Sequence, residues 1–457
     1  MKKLYKEDII TAIATPKGVG AIAVIRVSGK GSIDLLKSIV INPEKIISPR
    51  KVYYTKIIDE NNEVLDDVIV FFFKEPNSYT GEDSFEIHTH GGDFISNRIL
   101  ELLLKKGARL AKPGEFTQRA FLNGKIELLQ AESIEKLISS SNELTYKKYL
   151  KVLNKELKED VLYKLREKLI NILYNIEAIV DFEEEENEYL NKDELLNLIS
   201  EIEKNIDKNI EYIISLNNLD KGFNMLIIGK PNVGKSSIMN LLLKKEKAIV
   251  FHKEGTTRDI IEDSFYIDGI KITILDTAGI RRTEDEIEKI GIEKTLKELE
   301  YADFVLVVKD LSRDEDENDL YIDEILKDKD IKVLYVYNKL DLYKENSKIN
   351  FKNPYVKISA IKEEDREKLI NFIKENILKH YKDVLKEDFN LYNLRHKSIL
   401  EDIKKEILEL KENFNILTSD LIAYHIRNIL SLFDELYGRI TDEDILDKIF
   451  SNFCIGK

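Results

Sequence analysis

The sequence predicts a multidomain α+β and α/β chain. An N-terminal α+β domain comes first, and a discontinuous helical domain follows, with a phosphate-binding α/β domain of mainly parallel sheet inserted into it. Three observations lead there. The 457 residues are enough for about three domains at roughly 150 residues each. Strand-length apolar runs alternate with helical stretches only between 222 and 380. Helical texture flanks that block on both sides, so its two halves are read as one domain rejoined in space.

Residues 1–118 mix β-type runs (Ala21–Val27, Val68–Phe73, Phe85–His88) with Gly/Pro turns and short helical stretches, hence α+β. Residues 119–220 are helical. Leu162, Leu165, Leu169, Ile172, Leu173, Ile176 and Val180 recur at three- and four-residue spacing, an apolar stripe on one long helix. The run Glu183–Glu186 reads as a solvated helix end or loop. In 221–380 five strands are predicted: Asn224–Ile228, Lys271–Leu275, Phe304–Val308, Val333–Tyr337 and Tyr355–Ile358. Their near-continuous apolar character is that of a parallel sheet covered on both faces. Residues 381–457 return to helix.

Charge limits the partners. The chain carries 71 Lys+Arg and 85 Asp+Glu, net −14. Residues 1–120 hold 18 Lys/Arg and 16 Asp/Glu, so +2, which leaves −16 on the rest. That balance disfavours bulk attraction of nucleic acid and leaves room for a structured RNA held at one site. No apolar run nears the roughly 18 residues of a membrane span, and the N-terminus carries no apolar signal region, so a cytoplasmic protein is expected. The single cysteine, Cys454, excludes an intramolecular disulfide and multi-Cys metal sites.

Gly229-Lys230-Pro231-Asn232-Val233-Gly234-Lys235-Ser236 fits the P-loop pattern G-x-x-x-x-G-K-[ST], after a predicted strand and before a helix. Glycines let the backbone wrap a phosphate, and the helix N-terminus supplies N–H donors. Lys235 neutralises β/γ charge, the Ser236 hydroxyl ligates Mg²⁺, and Ser237 continues the first turn. Asp276-Thr277-Ala278-Gly279 closes a strand, with a carboxylate for the Mg²⁺ side and a Gly N–H for the γ-phosphate. Asn338-Lys339-Leu340-Asp341 closes another; its aspartate accepts from guanine N1–H and the 2-amino group, which adenine lacks. Ser359-Ala360-Ile361 adds backbone contacts to the base, and Thr257, in the Thr256-Thr257-Arg258 switch segment, is the second Mg²⁺ hydroxyl. This ordered set resembles the G-protein signature and predicts GTP binding and hydrolysis. Ile280 stands where small regulatory GTPases carry a water-orienting glutamine, so that group must come from elsewhere.

Further motifs narrow the resemblance. They are Arg26-Val27-Ser28-Gly29, Gly81-Glu82-Asp83 before His88-Thr89-His90-Gly91-Gly92, Pro113-Gly114-Glu115-Phe116-Thr117 with Arg119-Ala120-Phe121-Leu122-Asn123, and the ending Phe453-Cys454-Ile455-Gly456-Lys457. With the inserted G domain they resemble, along the whole chain, the MnmE (TrmE) family of tRNA modification GTPases. The resemblance implies a homodimer joined through a tetrahydrofolate-binding N-terminal domain. It also implies an FAD-containing partner, MnmG (GidA), and tRNA whose wobble uridine gains a carboxymethylaminomethyl-type group at carbon 5. A 5-formyl or 5,10-methylene folate supplies the one-carbon unit.

Residue by residue, the resemblance places Phe251, His252, Lys253, Glu254, Gly255 and Thr256 with Thr257 around GTP. A K⁺ site would use Asn232, Thr256 and the carbonyls of Phe251 and Lys253, supplying charge where other GTPases use an arginine finger. Glu288 matches the water-orienting glutamate, and Arg26, Glu86, Lys125 and Lys457 match folate-contacting positions. Cys454 matches a chemical or substrate-proximal role; by itself it reads as a small hydrophobe near a chain end. His88 and His90 share a strand face without a third ligand and predict no metal. Arg281-Arg282 reads as a solvated switch segment, with an in-trans arginine finger as the alternative, and Arg258 as a switch-loop ion-pair partner. A ribosome-assembly or RNA-binding switch GTPase is the alternative reading, since similar G domains serve such proteins. A membrane-remodelling role lacks any basic amphipathic helix.

Overall fold

The computed structural model describes residues 8–155, 161–181, 192–243, 263–275, 297–327, 329–343, 349–384, 386, 389–439, 443–451 and 453–457. Packing divides the chain into two compact units: 1–139 with 149–203 and 398–457, and 140–148 with 204–397.

The first unit opens with β1 (Ile10–Ile13), β2 (Ile22–Ser28), α1 (Ser32–Lys37), β3 (Tyr53–Ile58), β4 (Val64–Phe73), β5 (Ser84–His90), α2 (Asp93–Lys105) and β6 (Arg109–Leu110). The sheet runs β3-β4-β5-β2-β1-β6, antiparallel except for β1 with β6. Period-2 alternation places Ile25, Val27, Phe85, Ile87, Val68 and Val70 on one face, packed with Leu36 of α1 and Ile99 and Leu103 of α2. The opposite pleat carries Arg26 and Glu86 as cross-strand partners.

The helical part begins with α3 (Glu115–Leu122), α4 (Leu128–Ser139), α5 (Glu143–Leu153) and α6 (Val161–Asp181). The stripe predicted on α6 is real: Leu162, Leu165, Leu169 and Ile176 are buried. They pack against α13 (Ser419–Leu436), which buries Ile422, Ile426, Ile429 and Phe433 at helical spacing. The acidic run 183–186 lies outside the described residues.

The second unit contains β7 (Phe223–Ile228), α8 (Lys235–Leu243), β8 (Ser264–Ile267), β9 (Ile270–Leu275), β10 (Phe304–Asp310), α9 (Glu317–Lys327), β11 (Lys332–Asn338), β12 (Tyr355–Lys357) and α10 (Asp365–Ile373). The long α7 (Lys192–Lys221) leads into it, and α12 (Leu394–Asn413) and α14 (Glu443–Phe450) belong to the helical texture after it. Strand order is β12-β11-β10-β7-β9-β8, parallel except for the β8–β9 hairpin. All five predicted strands are present. The sixth, β8, was too short and mixed to show periodicity. Its turn, Asp268-Gly269, takes φ +51 and +79, the left-handed pair a tight hairpin needs. Among the described residues no helix is long and apolar enough to cross a membrane.

Phe433 is fully buried against α6. Phe433→Ala is expected to lower the stability of that helical packing by about 3–5 kcal/mol. Amide exchange should then rise along α6 and α13 and stay unchanged in the parallel sheet.

Candidate functional site: a nucleotide cavity and a sheet-face cavity

In the second unit a cavity of about 510 Å³ opens beyond the C-terminal ends of the parallel strands, the position where such sheets bind ligands. Asn232, Gly234, Lys235, Ser236 and Ser237 line one side. Asn338, Lys339, Asp341, Ser359, Ala360 and Ile361 line the other, so the P-loop meets at one hollow two motifs that lie over a hundred residues further along the chain. Leu342 also lines it, whereas Leu340 gives its N–H to Ile358 O at 3.0 Å.

Asn338 knits the motifs together. Its Nδ2 donates to Val233 O at 2.9 Å, and its Oδ1 accepts the Ala360 N–H at 2.9 Å. A side chain at Gly234 (φ +100) would collide with that amide, which is why the P-loop needs glycine there. At Gly229 a Cβ would stand 2.5 Å from Val308 O. Lys235 Nζ reaches Gly229 O at 2.8 Å and Lys230 O at 2.9 Å. Ser359 Oγ donates to Asp341 Oδ1 at 2.5 Å, orienting the carboxylate predicted to read the base. Asn232 and Lys339 hold left-handed backbone, φ +63 and +65.

Not every predicted residue falls within the description. Phe251, His252, Lys253, Glu254, Gly255, Thr256, Thr257, Arg258, Asp276, Thr277, Ala278, Gly279, Ile280, Arg281, Arg282 and Glu288 lie outside the described residues. Of the Mg²⁺ set only Ser236, and of the K⁺ set only Asn232, is seen lining the cavity.

A second cavity, about 530 Å³, lies in the first unit and includes Arg26, Glu86 and Lys125 in its lining. Arg26 Nε pairs with Glu86 Oε1 at 2.9 Å, and the guanidinium lies 5.7 Å from the ring centroids of both Tyr79 and Phe116. Lys125 Nζ donates to Pro76 O at 2.9 Å. Arg26 Nη1 also donates to Gly456 O at 2.9 Å, and the Phe116 N–H donates to Lys457 O at 3.2 Å. The chain's last residues are thereby docked beside the cavity. Gly456 (φ +93) is required there, because a Cβ would stand 2.9 Å from Ala14 Cα. Burial and the nearby Arg26 charge push the Lys457 ammonium below its ordinary value. Lys457 stands next to the lining rather than in it. Cys454 is exposed, and its carbonyl accepts from Gly114 N at 3.4 Å.

His90 Nδ1 pairs with Asp66 Oδ1 at 2.6 Å, and His88 packs edge-on to Phe71 at 5.0 Å. Among the described residues no group of three or more His, Cys, Asp or Glu is placed to hold a metal ion.

Sequence reading missed the ionic cluster beneath this cavity. Arg119, 1% exposed, pairs with Asp8 Oδ1 at 2.7 Å, Glu115 Oε1 at 3.0 Å and Glu82 Oε2 at 3.2 Å. Arg109 joins Asp8 at 2.9 Å and Glu115 at 2.7 Å. Glu82 in turn accepts from Ser28 Oγ at 2.9 Å. The Gly-Glu-Asp and Pro-Gly-Glu-Phe-Thr motifs were visible in the sequence, but nothing local paired them.

Comparison with known proteins covers the chain end to end. Residues 9–125 match the family described as "GTP-binding protein TrmE N-terminus", and residues 128–454 match "MnmE helical domain". The chain is 41% identical over 452 residues to the tRNA modification GTPase MnmE of Aquifex aeolicus, covering 98% of this chain and 99% of that one. To its namesakes in Fervidobacterium nodosum and Thermotoga petrophila it is 41% and 42% identical, over 98% of this chain and 98% and 100% of theirs.

The ionic cluster carries a pH signature. Burial would raise the Glu115 carboxyl, but Arg109, the Lys112 amide and Arg119 outweigh it and hold that carboxyl low. For Asp8, too, burial is outweighed by Arg109 and Arg119. Depressed carboxyls contribute stability that is complete above their ordinary values, 4.5 and 3.8, and is lost as pH falls through the folded-state values. The melting midpoint of the N-terminal region should therefore fall as pH drops below about 5.5, less steeply in Glu115→Gln. An equally steep fall in Glu115→Gln and the unsubstituted chain contradicts the cluster's role.

Proposed function

Because the chain belongs to the MnmE (TrmE) family of tRNA modification GTPases, we propose that it is the GTP-hydrolysing subunit of a tRNA-modifying complex. With an FAD-containing MnmG partner it would add a carboxymethylaminomethyl-type group to carbon 5 of the wobble uridine. The observation that supports this most is the meeting of P-loop, Asn-Lys-Leu-Asp and Ser-Ala-Ile motifs at one cavity, in a chain matching that family over nearly its full length.

The residues have distinct tasks. P-loop amides and Lys235 hold the β/γ phosphates, and Asp341, pre-oriented by Ser359, reads the guanine edge. Ser236 fits a Mg²⁺ ligand by its place at the start of α8, with Thr257 as its second hydroxyl. Asn232 fits a K⁺ ligand by its place among the P-loop residues that line the cavity; Phe251, Lys253 and Thr256 complete that set. The monovalent cation supplies positive charge against charge developing on the phosphates. Glu288 orients the attacking water in place of glutamine.

In the first unit the cavity fits a folate derivative by its chemistry. Glu86 offers a carboxylate to a pterin donor edge, Arg26 and Lys125 offer cations to an anionic tail, and Tyr79 and Phe116 offer ring faces; Lys457, outside the lining, would add a third cation. The folate supplies the one-carbon unit. Cys454, exposed beside this cavity, is the candidate thiol for the transfer. The protein works in the cytoplasm as a homodimer joined through the N-terminal domain.

Mass spectrometry of wobble-uridine nucleosides in total tRNA tests the whole reading. In cells lacking the protein the 5-aminomethyl-type modification should vanish, and Cys454→Ser shows whether the thiol is needed. Unchanged tRNA with unassembled ribosomal subunits would replace the reading with that of an assembly GTPase. Independently, GTP turnover should be much faster in K⁺ than in Na⁺ at matched ionic strength; equal rates remove the K⁺ site.

A further inference from the structure

Two of the loops that wall the nucleotide cavity, the P-loop and Asn-Lys-Leu-Asp, are tied by ion pairs to one short segment that no motif includes. Residues 310–319, Asp-Leu-Ser-Arg-Asp-Glu-Asp-Glu-Asn-Asp, leave the end of β10 and enter α9. In the structure Asp310 and Asp319 are buried against lysines of the nucleotide loops, and Asp316, half exposed, pairs with one of the same lysines.

At one end stands Asp310, 9% exposed. Its Oδ1 accepts from the Ser312 N–H at 2.9 Å and the Ser312 hydroxyl at 2.7 Å, which fixes the carboxylate plane. Its Oδ2 takes Lys339 Nζ at 2.7 Å. Arg313 Nε stands 3.5 Å from the same oxygen but is 43% exposed, a weaker and screened partner. Lys339 is the second residue of Asn-Lys-Leu-Asp, and it lines the cavity from a left-handed backbone position. Such a position persists only where surrounding contacts over-determine it.

At the other end are Asp316 and Asp319. Lys230, 4% exposed, pairs with Asp319 Oδ2 and with Asp316 Oδ2, the latter at 2.7 Å. Lys230 is the second residue of the P-loop motif, and its carbonyl accepts from Lys235 Nζ. A buried ammonium is tolerated only with its carboxylates in place, so these acids fix the peptide that in turn orients the phosphate-binding lysine.

We propose that this segment is a brace that holds both nucleotide loops in binding geometry, with Asp310 a positioning residue for Lys339, and Asp316 and Asp319 positioning residues for Lys230. The proposal rests on the reading of the cavity as a guanine-nucleotide site. None of these acids lines the cavity. They set affinity through the lysines, because a loop already in place loses less freedom on binding.

The test uses the full-length protein and N-methylanthraniloyl-GDP, with affinity and release rate measured by fluorescence. Asp310→Asn and Asp319→Asn are each expected to weaken binding about tenfold, chiefly through faster release. Steady-state KM for GTP should rise while turnover at saturating GTP stays within twofold, a split that general loss of fold would not produce. Asp310→Asn combined with Lys339→Met should bind no more weakly than Lys339→Met alone, whereas Asp310→Asn and Asp319→Asn, acting on different loops, should add. Wild-type affinity in whichever of the two aspartate variants folds, or full additivity of Asp310→Asn with Lys339→Met, overturns the proposal. Failure of the unsubstituted protein to bind the probe would instead overturn the guanine-nucleotide reading beneath it.

Discussion

The cavity of the second unit exists because β7, β10, β11 and β12 run parallel. Phe304 of β10 is level with both Met225 of β7 and Lys332 of β11, and Tyr335 of β11 is level with Tyr355 of β12. A parallel neighbour can be reached only by a crossover, usually a helix. Every strand therefore releases its following loop at the same edge of the sheet. Gly229, Asp310, Asn338 and Ser359 follow or end those strands, so motifs distant in sequence arrive at one place without any loop travelling far. Asn338 then turns proximity into a fixed arrangement, since one amide side chain satisfies a P-loop carbonyl and the Ala360 N–H together.

The first unit solves a different problem, holding a chain end against a sheet. The Arg26–Gly456 hydrogen bond joins residues 430 apart. Closing a long loop costs entropy that grows only slowly with its length, so a few well-buried contacts suffice. Phe450 and Phe453 pack with Leu128 and Ala131. Gly114, at φ +65, lets the start of α3 pass so close that a Cβ would stand 2.7 Å from Phe450 O. Arg119, among three carboxylates, holds α3 to the segments that carry Asp8 and Glu82.

What could be read from the sequence follows from how far each signal reaches. The five apolar strands of the parallel sheet and the stripe on α6 are local patterns, and they appear where expected. Hairpin strand β8 is four residues of alternating burial, too short to show a period, although its Asp-Gly turn was in view. Arg26, Glu86, Lys125 and Lys457 were placed together by resemblance; the first three line one cavity and Lys457 is outside its lining. The charged ties were not legible. Lys230 and Asp319 are 89 residues apart and Arg119 and Asp8 are 111 apart. A lone Lys or Asp in a sequence is most often a solvated residue, and only the fold shows which ones are buried in pairs.

The two cavities share one economy of charge. Charged groups in their walls are partnered by the protein, Arg26 by Glu86, Lys125 by Pro76 O, Lys235 by Gly229 O and Lys339 by Asp310, where a naked buried ion would be unstable. In the sheet-face cavity the Arg26 guanidinium spends one N–H on Glu86 and another on the Gly456 carbonyl, out of five donors available. A ligand that draws on this guanidinium therefore engages the group that docks the chain end carrying Cys454. Moving the guanidinium would loosen that end, and loosening that end would leave part of the guanidinium unpaired at the cavity wall. Cavity polarity and the position of the cysteine-bearing segment are thus two consequences of one side chain, Arg26.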